Sequence, residues 1–271
     1  MTEIVMHDGA GSFAFADDTG GVRRTLRVFY FQPKGGTRDR RIVVAMHGLD
    51  RKAAEFRDVM QRPAEQNGQI LLVPEFDLQQ FPDNFAYNFG GVRLPSSMTV
   101  LPREAWNFGL LDRLFQRVVA VTGSTAKSFG LFGNSAGAQY VLRYLALTEA
   151  PAVDRVVASN SGIYMLPDLA ADYPTGMGAL DLDQGHLRRY LGRRLVLLLG
   201  EADTTRDEGL PRGEIADAQG PHRLARGNWY YEHCRKLAER LGVPFDWQRE
   251  TVPGAGHVSQ EIFDRGSSLL S

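Results

Sequence analysis

Gly133-Asn134-Ser135-Ala136-Gly137, directly behind the apolar run Ser128-Phe129-Gly130-Leu131-Phe132, constrains this chain more than any other segment. A Gly-x-Ser-x-Gly pentapeptide between a strand pattern and a helix pattern demands a sharp strand-to-helix turn. The turn forces its central residue into a strained backbone conformation and lifts that side chain clear of the sheet. The flanking glycines are needed because a Cβ at either place would meet the neighbouring strand or helix. From Ala136 onward, Tyr140, Val141, Tyr144 and Leu145 fall on one helical face. The Ser135 hydroxyl therefore stands over a helix N-terminus, whose free N–H groups favour negative charge. That is the environment of a nucleophile.

A serine hydroxyl is weak at neutral pH and needs a general base, which in turn needs an orienting acid. Six histidines are available: His7, His47, His186, His222, His233 and His257. His257 follows the glycine-rich turn Val252-Pro253-Gly254-Ala255-Gly256, behind the strand-like Phe245-to-Val252 stretch, where a mobile imidazole can reach a nucleophile. His233 reads as a helix-face residue within Trp229 to Leu241, His186 and His222 as solvent-exposed, and His7 lies too near the N-terminus to be held well. For the acid, Arg194-Leu195-Val196-Leu197-Leu198-Leu199-Gly200 has the continuous apolar pattern of a buried parallel strand. Asp203 lies just past its end and ranks ahead of Glu201 and Asp207.

A tetrahedral oxyanion needs two backbone donors. Arg41-Ile42-Val43-Val44-Ala45-Met46 is another buried-strand pattern, ending in His47-Gly48-Leu49. The donors expected are the amides of Leu49 and of Ala136, with Gly48 allowing close approach. His47 is expected to bond loop backbone rather than to take part in catalysis. His47, Gly48, Asn134, Tyr87 and Tyr164 are the candidates for substrate contact.

The blocks Val44-Ala45-Met46-His47-Gly48, Gly133-Asn134-Ser135-Ala136-Gly137, Gly200-Glu201-Ala202-Asp203 and Pro253-Gly254-Ala255-Gly256-His257 resemble the α/β-hydrolase superfamily. The order nucleophile, acid, histidine is the one expected of that fold. Within it the chain is similar to bacterial esterases of the polyhydroxybutyrate depolymerase and feruloyl esterase branch. Those enzymes often carry a further glycine where this chain has Ala138. The resemblance implies a Ser135–Asp203–His257 triad, hydrolysis of an ester or similar acyl bond in a small-molecule substrate, and no cofactor.

Length and composition agree with one α/β domain over residues 1–271, since 271 residues at 43% hydrophobic content suffice for a single large core. Strand and helix patterns alternate, which predicts a mostly parallel central sheet with helices on both faces. The sheet is expected to open with Arg24–Gln32 and Arg41–Met46. A helix follows over Lys52–Gln66, a strand over Gln69–Pro74, a helix over Pro102–Val121 and a strand over Arg155–Asn160. No run reaches the roughly 20 apolar residues of a membrane helix. The N-terminal residues lack the pattern of a signal peptide, and the lone Cys234 accords with a reducing cytoplasm. A net charge of −1 argues against nucleic acid as a partner, and no His-x-x-x-His or comparable pair points to a metal.

Three loops are expected around the site: 76–101, carrying Phe81, Phe85, Tyr87 and Phe89; 163–190, an apolar cap with Tyr164, Met165, Leu166 and Met177; and 204–226, a surface excursion. The same triad would also serve a peptidase or an acyltransferase, and the fold has non-catalytic binding members. Oligomeric state is not legible.

Overall fold

In the computed structural model, residues 4–271 are described. Eight strands form one sheet: β1 (Gly9–Asp17), β2 (Arg24–Gln32), β3 (Ile42–Met46), β4 (Ile70–Pro74), β5 (Phe129–Asn134), β6 (Val153–Ser159), β7 (Leu195–Gly200) and β8 (Trp247–Val252). Their spatial order is β1-β2-β4-β3-β5-β6-β7-β8. β2 alone runs antiparallel to its neighbours β1 and β4, and every pairing from β4 to β8 is parallel. The sheet is therefore mostly parallel, as the alternating pattern predicts. Its central strand β5 delivers Ser135.

Why the central strands read as unbroken apolar runs is visible in their alternation. Ile42, Val44 and Met46 of β3 join a large core that includes residues of helices α2 (Gly109–Thr122), α3 (Ala136–Leu147), α4 (Gln184–Leu191) and α6 (Arg223–Leu241), the last preceded by the short α5 (Glu214–Gln219). Val43 and Ala45 point the other way, into a smaller core with α1 (Ala53–Gln66) and α7 (Gln260–Leu269). Ile70 and Leu72 against Leu71 and Val73 repeat the division on β4. Both faces are covered, so period-2 patterning gives way to continuous hydrophobicity. β8, at the sheet edge, keeps only Trp247 buried and turns Gln248, Arg249 and Thr251 outward.

The helix expected from Pro102 starts at Gly109, helices over Gln184–Leu191 and Glu214–Gln219 stand where the sequence predicts loops, and two further departures lie near the ends of the chain. The sheet opens one strand earlier than Arg24, with β1, whose Gly-Ala-Gly-Ser start carries no strand signal. Phe13 and Phe15 alternate inward only because β2 supplies the partner edge, from Gly9↔Gln32 to Asp17↔Arg24. The other, α7, closes the chain. Ile262 and Phe263 are buried, and Gly266 lets the helix lie against the Phe132 ring, where a Cβ would overlap. No helix among the described residues is long and apolar enough to cross a membrane.

Candidate active site

Ser135 sits between β5 and α3 with φ 58° and ψ −116°, a strained conformation for a residue bearing a Cβ. Two close approaches make that turn possible. A Cβ on Gly133 would fall on the Gly137 carbonyl group, and one on Gly137 would fall on the Met46 carbonyl at the end of β3. The glycines thus let the start of α3 press against two strand ends. The Ser135 N–H donates to Ser159 O at 3.0 Å, which ties the turn to β6.

His257 and Asp203 meet Ser135 in line. His257 Nε2 lies 3.0 Å from Ser135 Oγ, and His257 Nδ1 lies 2.9 Å from Asp203 Oδ2. Because a carboxylate only accepts, the proton is on Nδ1, and Nε2 is left to accept from the serine hydroxyl. Asp203 is 2% exposed, whereas the imidazole keeps 25% of its surface open toward the cavity. The rival acids are engaged elsewhere. Glu201 accepts from Thr251 Oγ1 at 2.8 Å. Arg223 hydrogen-bonds Asp207 and holds its carboxyl down at about 2.

Sequence reasoning missed Asn160. It follows β6 with φ 49°, is 1% exposed, and joins both halves of the site. Its Oδ1 accepts from Gly200 N–H at 2.9 Å, at the end of the strand leading to Asp203. Its Nδ2 donates to Gly256 O at 3.2 Å and His257 O at 3.0 Å. Asn134 adds a longer bond to His257 O at 3.4 Å and accepts from Ser159 Oγ at 2.8 Å. An asparagine at a strand's end is the one sequence signal that could have flagged Asn160, because Asn tolerates positive φ.

The Leu49 and Ala136 amides stand at the two turns flanking Ser135. Ala136 opens α3, so its N–H belongs to the first turn, which has no acceptor within the helix. The turn bearing Leu49 is held through carbonyls. Tyr87 Oη donates to His47 O at 2.7 Å, and His47 Nδ1 lies 2.9 Å from Gly48 O. Phe76 N–H donates to His47 Nε2 at 3.1 Å, which fixes His47 as the Nδ1–H tautomer. Complete burial, with the Arg51 cation adding repulsion, brings the His47 imidazole down to about 4, so the ring is neutral. Arg51 lies over the Tyr87 ring at 4.1 Å and donates to Phe76 O and Asp83 O.

In front of Ser135 opens a cavity of about 320 Å³. Gly48, Leu49, Asn134, Ser135 and His257 line it, together with the apolar Phe56, Val59, Val258 and Phe263 and the charged Asp50, Lys52 and Glu55. Of the five substrate-contact candidates, Gly48 and Asn134 line it. The other three do not. His47 and Tyr87 are 0% exposed and brace the turn from beneath. Tyr164 is 1% exposed and stacks on Tyr230 at 4.4 Å. A wider depression of about 600 Å³ lies at the N-terminal ends of β6, β7 and β8 and shares no residue with this one.

The loops also differ from expectation. Residues 163–183 fold down into the main core instead of over Ser135: Tyr164, Met165, Tyr173 and Met177 are buried, and none lines the cavity. Segment 204–226 is largely exposed, as expected of a surface excursion, but it is anchored at its end. Arg226 is 0% exposed and donates to Gly162 O at 2.6 Å and Pro211 O at 2.8 Å. His186 and His222, expected in solvent, serve at helix N-termini: His186 completes a reciprocal cap with Asp183 on α4, and His222 Nδ1 accepts from Ala225 N–H on α6. Among the described residues, no group of three or more His, Cys, Asp or Glu is placed to hold a metal ion.

Neither the family models of known proteins nor the curated protein sequences match this chain. Solved structures do. Poly(aspartic acid) hydrolase-1 from Sphingomonas sp. KT-1 is 34% identical over 98% of this chain and 99% of its own, with a TM-score of 0.93. The poly(3-hydroxybutyrate) depolymerase from Bordetella parapertussis is 31% identical over 97% of this chain and 90% of its own, with a TM-score of 0.91. An S-formylglutathione hydrolase from Agrobacterium tumefaciens, 16% identical, shares the fold over 100% of this chain and 99% of its own, at a TM-score of 0.59.

Proposed function

We propose that this chain, which belongs to the α/β-hydrolase superfamily, cleaves carboxylic esters through a covalent acyl-enzyme formed on Ser135. Hydrolysis itself follows from its kinship with hydrolases at 34% and 31% identity over nearly the whole chain. The observation that carries the finer reading is the line Ser135 Oγ, His257 Nε2, His257 Nδ1, Asp203 Oδ2, with both contacts at hydrogen-bond distance. His257 takes the hydroxyl proton as Oγ attacks the acyl carbon. The Leu49 and Ala136 amides hold the oxyanion, and His257 passes the proton to the leaving alkoxide, which departs as the alcohol. Water then loses a proton to His257 and attacks the acyl carbon. The tetrahedral intermediate collapses, Oγ takes the proton back, and the acid leaves.

The cavity favours an uncharged acyl group. It is lined by Phe56, Val59, Val258 and Phe263, and among the described residues lining it Lys52 is the one cation, paired with Glu55 at 3.1 Å. A second reading, amide cleavage in an acidic polymer, is favoured by the 34% identity to a poly(aspartic acid) hydrolase. Against it stand Asp50 and Glu55, two carboxylates lining the cavity that would repel a polyanion.

Labelling by a fluorophosphonate probe, followed by peptide mass spectrometry, tests the nucleophile. Modification of Ser135 alone, absent from Ser135→Ala, is expected. A well-folded wild type that does not label refutes the reading. Turnover of p-nitrophenyl esters of graded length, set beside release from poly(aspartic acid), separates ester from amide.

A further inference from the structure

Asp203 and His257 have a charged neighbour that the triad chemistry does not use. Arg223, the first residue of α6, is 3% exposed, and its Nη1 lies 3.6 Å from Asp203 Oδ1. That is too long for a hydrogen bond, though close for a charge. The same guanidinium is held away by Asp207, to which Nη1 donates at 2.5 Å and Nη2 at 2.9 Å. Asp207 is 41% exposed, so the row His257, Asp203, Arg223, Asp207 runs from the nucleophile to solvent. Leu224 N–H donates to Asp203 O at 3.2 Å, which fixes the start of α6 against the acid.

We propose that Arg223 and Asp207 set the proton affinity of the Asp203–His257 pair, and with it the acid limit of turnover, as positioning residues that never touch substrate. The inference rests on the reading of His257 as the base for Ser135. A cation beside Asp203 disfavours adding a proton to the pair, wherever in the pair that proton resides. The bidentate Asp207 offsets that cation, and Arg223 holds Asp207 ionised, near 2, throughout the range in which a histidine titrates.

The other groups around the pair leave this row in control. Tyr164 is neutral, since burial, with the Asp203 charge, pushes its hydroxyl above the usual range. His222 accepts from Ala225 N–H. Arg206 and Arg226 both pair with Asp217. Glu201 accepts from Thr251, and Lys52 pairs with Glu55, both lining the cavity with Asp50.

The test is the pH profile of kcat/KM with p-nitrophenyl acetate, together with a nitrogen-15 NMR titration of the His257 imidazole in substrate-free protein. Asp207→Asn leaves the guanidinium uncompensated and moves the acid limb and the imidazole titration down by about half a unit. Arg223→Met removes the cation and moves both up by about one unit. Arg223→Lys, which keeps the charge, stays near wild type, and the double variant Arg223→Met/Asp207→Asn returns toward it. Unchanged titration in Asp207→Asn, or shifts of the same sign in both single variants, overturns the proposal. Should buried Arg223→Met fail to fold, the half-exposed Asp207→Asn decides alone. A wild type that turns over no ester sinks the esterase reading, while the imidazole titration still decides this one.

Discussion

Acidification should weaken this fold through His47. The His47 ring is fully buried, accepts from Phe76 N–H and donates to Gly48 O, and has the Arg51 guanidinium nearby, so it takes a proton only at about 4. In the unfolded chain a histidine takes one at about 6.5. Between those values the unfolded state binds the proton and the folded state does not. Stability from this residue is therefore fully present above about 6.5 and is lost as pH falls toward 4. Two and a half units at about 1.36 kcal/mol each come to roughly 3 kcal/mol, against a typical total of about 5–15 kcal/mol. His47→Gln keeps a side chain able to accept and donate but cannot titrate. Urea unfolding of both proteins at several pH values from 7.5 to 4.5 measures the effect. The wild type should lose about 2–3 kcal/mol more than the variant across that range. Parallel stability curves would refute the argument, because no proton uptake would then distinguish a buried from an unfolded His47.

Ser135→Ala should keep its melting temperature within a few degrees and lose about 10³-fold or more in kcat, read with a p-nitrophenyl ester. Gly137→Ala drives a Cβ into the Met46 carbonyl, so about 1–3 kcal/mol of stability and most activity should go together, by thermal melt and kcat. Asn160→Ala removes three hydrogen bonds and leaves an alanine at φ 49°. It should cost about 1–3 kcal/mol and lower kcat, and a variant with wild-type kcat would show that Asn160 does not hold the His257 loop.

Much of the candidate site was legible because its chemistry needs residue types that leave tracks. A serine between two glycines behind an apolar run, an aspartate four residues past a buried strand's last leucine, and a histidine after Pro253-Gly254-Ala255-Gly256 are each local patterns. The central strands were legible for the same reason, since coverage on both faces writes an unbroken apolar run. Asn160 was not, nor were Arg223 and Asp207 as a pair. Their importance lies in partners 16 to 97 residues away, and no local pattern encodes such distances.

The sequence by itself determined the sheet's parallel centre, the strained turn at Ser135 and the order Ser135, Asp203, His257 at three strand ends, because each follows from short-range sterics and periodicity. Tertiary structure alone decided which aromatic residues line the cavity in front of Ser135. Tyr87 and Tyr164 looked like cavity walls from their loops, yet both are buried, one bracing the His47 carbonyl and the other stacked on Tyr230. It also decided that residues 163–183 are core rather than cover, and that a Gly-Ala-Gly-Ser segment becomes a strand. In each case the deciding free energy comes from burial against a surface contributed by distant chain, which a loop's own composition does not contain.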